Sequence, residues 1–323
     1  METIYGKEAL PEGLPRVVAV GVFDGVHLGH QEILRRTRAW ARERGAVAEV
    51  ITFDRHPHAV VGDGSPLCIT SLRHRLVLLE RSGIQRCRVL TFDRALASLP
   101  ALEFAEQVFR GALGVVMGYD QRFGRNREGG VDLVRQAGRD LGFDVKVVPP
   151  VLVRGQPVSS TALRSLIARG ALFEAAEGLG RPFSVLGTVV GGTGKGRTLG
   201  FPTANLELGG ELLPPEGVYR TETRVADRQW PSVANIGRRP TFGGSGQPFT
   251  GPTVLEVHLL GFAGDLCGRE VEVTFLERMR DEVTCSSPEE LSRLIAGDVD
   301  RLAQRIRREQ AAGGRPGEPP SAN

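Results

Sequence analysis

Val17 to His30 reads VVAVGVFDGVHLGH, an apolar β-branched run that ends among glycines and delivers two histidines to the start of a helix. Val17 to Phe23 has the composition of a strand buried on both faces of a parallel sheet. Gln31 to Glu43 follows as an amphipathic helix. Ile33, Leu34, Trp40 and Ala41 form one face, Arg35, Arg36, Arg38 and Arg42 surround the rest, and Gly45 is the stop signal. His27 and His30 are thereby expected at the C-terminal edge of a strand and the N-terminus of a helix. The positive end of the helix dipole favours an anion there, and open α/β sheets collect ligands at that edge. Two imidazoles add donors for phosphate oxygens. A zinc pair is the alternative, but H-E-x-x-H is absent and no Cys or carboxylate pair stands nearby at ligand spacing.

The chain has 323 residues, a length that suggests two domains. Its 41 Lys and Arg against 38 Asp and Glu leave a net charge of +3, too balanced to announce a nucleic-acid or membrane surface. Cys68, Cys87, Cys267 and Cys285 are scattered without a C-x-x-C pair, which suits a reducing cytoplasm. The start, METIYGKEALPEG, has no apolar core of a signal peptide.

Two grammars divide the rest. Val47 to Phe53, Arg88 to Phe92, Leu113 to Tyr119 and Phe143 to Val148 read as strands, separated by helical patterns near Ser71 to Arg81, Leu102 to Arg110 and Val131 to Leu141. That alternation predicts a Rossmann-like parallel sheet covered on both faces, in a domain of residues 1–180. After Arg181-Pro182 the strands are punctuated by Gly and Pro: Ser184 to Val190, Val218 to Val225, Val254 to Leu260 and Arg269 to Leu276. In the last, Val271, Val273 and Phe275 are expected inward, and Glu270, Glu272 and Thr274 outward. A small antiparallel β-barrel over residues 181–310 follows, closed by a C-terminal helix with Ser287, Pro288 and Glu290 as its capping box. Residues 311–323 are expected to be a disordered tail.

GVFDGVHLGHQ, residues 21–31, resembles the H-x-G-H signature of nucleotidyltransferases, and its flanks resemble the adenylyltransferase half of bacterial bifunctional riboflavin kinase/FAD synthetases. T-F-D-R-H-P-H, residues 52–58, is similar to the family's F-x-P-H-P turn, with Arg55 where proline is usual. G-Y-D-Q-R-F-G, residues 118–124, resembles G-x-D-F-R-F-G, with Gln121 where phenylalanine is usual. S-S-T-A-L-R, from Ser159 to Arg164, resembles the S-S-T-x-x-R segment that holds ATP phosphates; a helix N-terminus with hydroxyls and a guanidinium one turn later suits that task. The resemblance implies that His27, His30 and Arg164 are catalytic. It assigns Gly21, Phe23, Asp24, Gly25, Ser159, Ser160 and Thr161 to ATP, and Phe53, Asp120 and Phe123 to the flavin.

Gly191 to Arg197 fails the Walker test, because no glycine precedes Gly194 by five positions and Gly196 stands at the Ser/Thr position. It reads instead as a strand-to-strand loop whose N–H groups can wrap phosphates. Its continuation, T-L-G-F-P-T-A-N-L from Thr198 to Leu206, resembles the P-T-A-N hallmark of riboflavin kinases. Gly194, Lys195, Gly196, Arg197, Thr203 and Asn205 are then implied in ATP binding, with the neutral oxygens of Thr203 and Asn205 as Mg²⁺ ligands. V-L-E-V-H-L-L, residues 254–260, is similar to T-x-E-V-H, whose glutamate is the proposed base, here Glu256. N-I-G-R-R-P-T, residues 235–241, resembles N-I-G-x-R-P-T, and Arg280 with Glu282 resembles a flavin-side L-R-x-E segment. Gly261, Cys267 and Cys285 depart from the usual Asp, Tyr and Phe.

The resemblance spans roughly residues 14 to 308 and implies a nucleotidyltransferase domain followed by a kinase barrel. The implied enzyme phosphorylates riboflavin to FMN and adenylates FMN to FAD with release of pyrophosphate, using ATP and Mg²⁺. The expected partners are riboflavin, FMN and ATP, with no nucleic acid and no membrane, for a monomer or weak homo-oligomer in the cytoplasm. Two alternatives stay open at this point: a barrel that binds flavin without catalysis, and a nucleotidyltransferase for another phosphorylated acceptor.

Overall fold

The computed structural model describes residues 1–6, 14–62, 67–191, 200–238, 253–283, 285 and 287–311. The chain forms two compact units, Met1–Arg164 with Gly178–Gly180, and Ser165–Glu177 with Arg181 onward.

In the first unit six strands make one parallel sheet: β1 (Glu2–Tyr5), β2 (Arg16–Val20), β3 (Val47–Phe53), β4 (Arg86–Leu90), β5 (Gly114–Gly118) and β6 (Asp144–Val148). Their order is β1-β4-β3-β2-β5-β6. The helices between them are α1 (Leu28–Glu43), α2 (His58–Val61), α3 (Leu72–Arg81), α4 (Arg94–Ala97), α5 (Ala101–Phe109) and α6 (Val131–Leu141). Successive strand residues point to opposite faces, so the strands feed two cores. Val17, Ala19, Val50, Cys87 and Val116 pack with Leu34 and Trp40 of α1 and Leu76 and Leu79 of α3. Val18, Ile51, Val115 and Met117 pack with Phe104 and Val108 of α5 and Val134 of α6. Each such side chain contributes about 1.5–3 kcal/mol when fully buried. The sheet is therefore sandwiched between helices, as the strand–helix alternation predicts.

Strand β2 stops at Val20, short of the expected Phe23. The Gly21 N–H makes the last sheet-like bond, 3.0 Å to Ile51 O, and Phe23 turns into the left-handed region at φ 53°. The expected strand over Arg88–Phe92 is shifted to Arg86–Leu90, because the chain leaves the sheet where the Asp54 carboxylate accepts the Phe92 N–H at 2.9 Å. A short hairpin of β7 (Leu152–Val153) and β8 (Gln156–Pro157) leads to α7 (Ser160–Ala168), followed by α8 (Leu172–Leu179).

The second unit contains a closed antiparallel barrel of β9 (Ser184–Val190), β10 (Ala204–Leu208), β11 (Gly217–Val225), β12 (Arg228–Arg238), β13 (Thr253–Leu259) and β14 (Glu270–Arg280). The order around it is β10-β13-β12-β11-β14, with β9 closing the ring. Val271, Val273 and Phe275 fill the interior as expected. Glu272 does not stay in solvent: it is 7% exposed, and its carboxylate accepts the Ser184 hydroxyl at 3.0 Å. A buried carboxylate needs such partners.

The C-terminal helix α9 (Pro288–Ala311) starts where Ser287 Oγ accepts the Glu290 N–H at 3.2 Å. Two arginines from the barrel fasten it. Arg220 bonds both carboxylate oxygens of Glu309 at 2.8 and 2.6 Å, and Arg280 reaches Asp298 at 2.8 Å. The helix includes Ala311, the first residue of the expected tail; the remainder, from residue 312, lies outside the described residues.

Candidate active sites

The turn after β2 carries the first site. Phe23 and Val26 both have positive φ, at 53° and 41°. A β-branched residue there is an outlier, and strain of this kind amounts to about 1–3 kcal/mol per residue, held by the surrounding structure. Gly25 supplies a further left-handed residue at φ 79°, where an added Cβ would approach Ile69 to 3.1 Å. The turn presents His27 as the N-cap of α1 and His30 in its first turn. Their rings stack with centroids 3.6 Å apart, and the Phe23 ring meets His30 edge-on at 5.2 Å. Gly29 permits this stack, since a Cβ there would lie 3.2 Å from the His27 ring.

Asp24, 2% exposed, gathers the rest. Its Oδ1 accepts the Thr70 N–H at 3.0 Å, its Oδ2 accepts Arg164 Nε at 3.2 Å, and its carbonyl accepts the Ser160 hydroxyl at 3.0 Å. Ser159 caps α7 by accepting the Ala162 N–H at 3.3 Å, while Thr161 is exposed. Arg164 Nη2 lies 3.5 Å from His56 Nε2 in the turn after β3. Asp24, His27, His30, His56, Ser160 and Arg164 thus come together where two neighbouring strands end.

Burial, the His27 ring and the Arg75 charge hold the His30 pKa well below the usual imidazole value. Burial, then the Arg164 charge, lowers that of His56. Both rings are therefore neutral hydrogen-bonding groups near neutral pH.

The flavin-side expectations fall in different surroundings. Phe53 is 7% exposed in the core, edge-on to Phe92 at 5.3 Å. Phe123 packs against Phe104 at 5.4 Å, and Asp120 is exposed beyond β5. Gln121, which departs from the family pattern, fastens that loop to β2 by donating to Val20 O at 2.7 Å.

The second site lies on the outer face of the barrel. Ala204, Leu206, Leu255, Val257, Ala234 and Ile236 point inward, so the alternating positions Asn205, Glu256 and Asn235 point outward. Register places Asn205 opposite Glu256, and Glu256 opposite Asn235. Asn205 is nevertheless only 7% exposed. Asn235 Nδ2 donates to Glu282 Oε1 at 3.4 Å, which brings Glu282 beside the same row. His258, two residues from Glu256, makes a 2.9 Å hydrogen bond with Pro202 O, and its ring meets Phe201 edge-on at 5.7 Å. Arg280 is turned to Asp298, with all three of its contacts to that carboxylate between 2.8 and 3.2 Å. Gly194, Lys195, Gly196, Arg197, Arg239, Pro240 and Thr241 lie outside the described residues. Among the described residues no cluster of three or more His, Cys, Asp or Glu is placed to hold a metal ion.

Sequence reasoning missed Thr70 and Arg75. The Arg75 guanidinium donates to Val22 O and, at 2.9 Å, to Phe53 O. Neither residue carries a local signal beyond that of a capped helix with a basic face.

Two family models match the chain, one described as FAD synthetase over residues 11–162 and one as riboflavin kinase over residues 179–306. A Pseudomonas fluorescens protein named bifunctional riboflavin kinase/FMN adenylyltransferase is 38% identical over 304 residues, covering 93% of this chain and 96% of its own. The chain belongs to the bifunctional riboflavin kinase/FMN adenylyltransferase family. An Escherichia coli K12 member of the same name is 38% identical over 287 residues, which is 87% of this chain and 90% of that one. A crystal structure of a protein named for macrolide efflux, from Streptococcus pneumoniae, is also similar. It is 30% identical with a TM-score of 0.79, covering 94% of this chain and 99% of that chain. Among the described residues no helix is long and apolar enough to cross a membrane. The stacked histidines lie within the FAD synthetase match, and the Asn205–Glu256–Asn235 row within the riboflavin kinase match.

Proposed function

We propose that the Asp24–His27–His30–Arg164 cluster is the adenylyl-transfer site of this bifunctional enzyme and that the outer row of the barrel is its riboflavin kinase site. The two activities, phosphorylation of riboflavin to FMN and adenylation of FMN to FAD with ATP, follow from membership of the family. The observation that carries the assignment of residues is the convergence on Asp24 of a strand-end turn and the start of α7.

In the first site an oxygen of the FMN phosphate attacks the α-phosphorus of ATP in line, and pyrophosphate leaves. The nucleophile is already an anion, so proton removal matters little. The protein acts by orienting the two phosphates and by stabilising charge as it spreads over the α-phosphoryl oxygens. His27 and His30 donate ring N–H groups to those oxygens, Arg164 supplies the fixed positive charge, and the N-terminus of α1 supplies N–H groups. Asp24 takes no part in the chemistry and keeps Arg164 aimed.

In the second site the riboflavin 5′-hydroxyl attacks the γ-phosphorus of ATP, and Glu256 accepts the hydroxyl proton. Thr203, just before β10, and Asn205, on β10 opposite Glu256, offer neutral oxygens, a donor set that suits a hard cation, and the burial of Asn205 provides a defined position for it. Mg²⁺ bound there would neutralise charge on the ATP phosphates. The protein works in the cytoplasm as a monomer or weak homo-oligomer.

The direct test is to incubate purified protein with riboflavin, ATP and Mg²⁺ and to separate the flavins over time. FMN should appear first and FAD second. Absence of FMN would remove the kinase assignment, and FMN without FAD would remove the other.

A further inference from the structure

The end of β2 and the end of β3 each carry part of the adenylyl-transfer site, His27 and His30 after the one, His56 after the other. In a parallel sheet, backbone carbonyls past the last ladder bond have no strand partner, yet Val22 O and Phe53 O are both engaged by one side chain. Arg75 projects from α3, donating one nitrogen to Val22 O and the other to Phe53 O at 2.9 Å. It is 4% exposed, and its Nε has no hydrogen-bond partner among the described residues. Burying a guanidinium with a donor unsatisfied is unfavourable, and among the described residues no carboxylate forms an ion pair with it, the charge of Asp24 acting only from a distance. Thr52 Oγ1 also donates to Val22 O, at 3.2 Å. A hydrophobic residue would fill such a position with less penalty, so the guanidinium is retained for what it holds.

We propose that Arg75 is a positioning residue for adenylyl transfer, bolting the turn that carries His27 and His30 to the turn that carries His56. It fixes the separation of the two strand-end turns between which the nucleotide phosphates lie. The inference rests on the assignment of that site given above. A second consequence is electrostatic. His30 faces the stacked His27 ring, the Phe23 edge and the Arg75 charge, and that charge helps to keep the imidazole neutral. A rigid fork spanning two carbonyls is a task for Arg and not for Lys, whose ammonium carries the same charge at a single point.

The test uses the full-length chain with Arg75→Lys and Arg75→Met. FAD formation from FMN and ATP gives kcat and KM, FMN formation from riboflavin reports the barrel in the same molecule, and an NMR titration of ¹³C-labelled histidine follows His30. For Arg75→Met we expect kcat for FAD formation to fall by about 10²-fold, KM to change little, FMN formation to be unchanged, and His30 to titrate at higher pH. Arg75→Lys should leave the His30 titration near that of the wild type while recovering only part of kcat. Wild-type kcat in folded Arg75→Met, or loss of both activities in equal proportion in both variants, overturns the proposal. Should Arg75→Met fail to fold, Arg75→Lys decides alone: a lower kcat at unchanged KM supports the role, and wild-type kcat removes it. His30→Ala separates the two levels of inference. If it forms FAD normally the site assignment fails, whereas its loss of activity beside an unimpaired Arg75→Met sinks only the role of Arg75.

Discussion

Arg164 Nε lies 3.2 Å from Asp24 Oδ2, joining the turn after the second strand to a helix that begins well over a hundred residues later. Each segment alone has an ordinary explanation, a glycine turn or a serine-capped helix. Their meeting carries the proposed site, because the buried carboxylate ties the guanidinium to the turn that presents the two stacked histidines. Asp24→Asn keeps the shape and the Thr70 contact but weakens the hold on Arg164. A hydrogen bond between charged groups contributes about 1.5–3 kcal/mol, so if that is felt in the transition state the rate of FAD formation falls by about tenfold to 10²-fold. FMN formation should not change. Wild-type kinetics for FAD formation by Asp24→Asn would show that the pair is only structural.

His27→Ala and His30→Ala should each slow FAD formation by about 10²- to 10³-fold, the usual effect of removing one donor to a developing oxyanion. Riboflavin phosphorylation by the same purified variants is the internal control. Equal loss of both activities in a folded variant contradicts the separation of the two sites.

The depressed pKa of His30 also predicts a pH dependence of stability. In the unfolded chain the imidazole takes up a proton near pH 6.5, while in the folded chain burial, His27 and Arg75 prevent this until lower pH. The unfolded state therefore binds more protons as pH falls through about 6.5, and stability is lost in that direction. Thermal melts at about pH 7.5 and 5.5 should show a smaller drop in Tm for His30→Gln than for the wild type. Identical drops would mean that His30 titrates normally.

Most of the parallel sheet was legible because a strand buried on both faces has one composition, and Val47–Phe53 and Val131–Leu141 match their elements to the residue. The barrel was less legible. β12 carries Pro231 as its fourth residue, and its inward row includes the polar but fully buried Ser232 while Gln229 and Asn235 take outward positions, so the alternation that the barrel imposes is hidden in the sequence. β1 has only four residues and needs β4 beside it. At the site, the histidines and Ser159–Arg164 were visible as local patterns, whereas Arg75 looks like any basic helix residue until the two strand ends close around it.

A kinase unit separable from the rest gives a third kind of test. Arg181 to Glu309 includes all six barrel strands and retains the Arg220–Glu309 ion pair that fastens the last helix. We expect this fragment to fold and to convert riboflavin to FMN. The compact unit also includes Ser165–Glu177, so a fragment starting at Ser165 should be the more stable of the two in a thermal melt. If neither fragment folds, or both fold without activity at saturating ATP and Mg²⁺, the division at Arg181 or the kinase assignment is wrong.

Nucleotide binding and proton transfer fall to different residues on the outer row of the barrel, and substitution should separate them. Asn205 and Glu256 stand directly opposite each other on β10 and β13, yet the proposed roles differ. Asn205 offers a neutral oxygen to Mg²⁺ and ATP, so Asn205→Ala should raise KM for ATP as well as lower kcat. Glu256→Gln preserves size and hydrogen-bonding capacity while removing the proton acceptor. Riboflavin and ATP should then bind nearly as before, while kcat falls by about 10²- to 10⁴-fold, the range for loss of a general base. FAD formation from supplied FMN should survive both changes, since neither residue belongs to the first site. If Glu256→Gln phosphorylates riboflavin at the wild-type rate when chemistry limits turnover, Glu256 is not the base. Its outward position on β13 is then that of an ordinary polar residue on the solvent side of a strand.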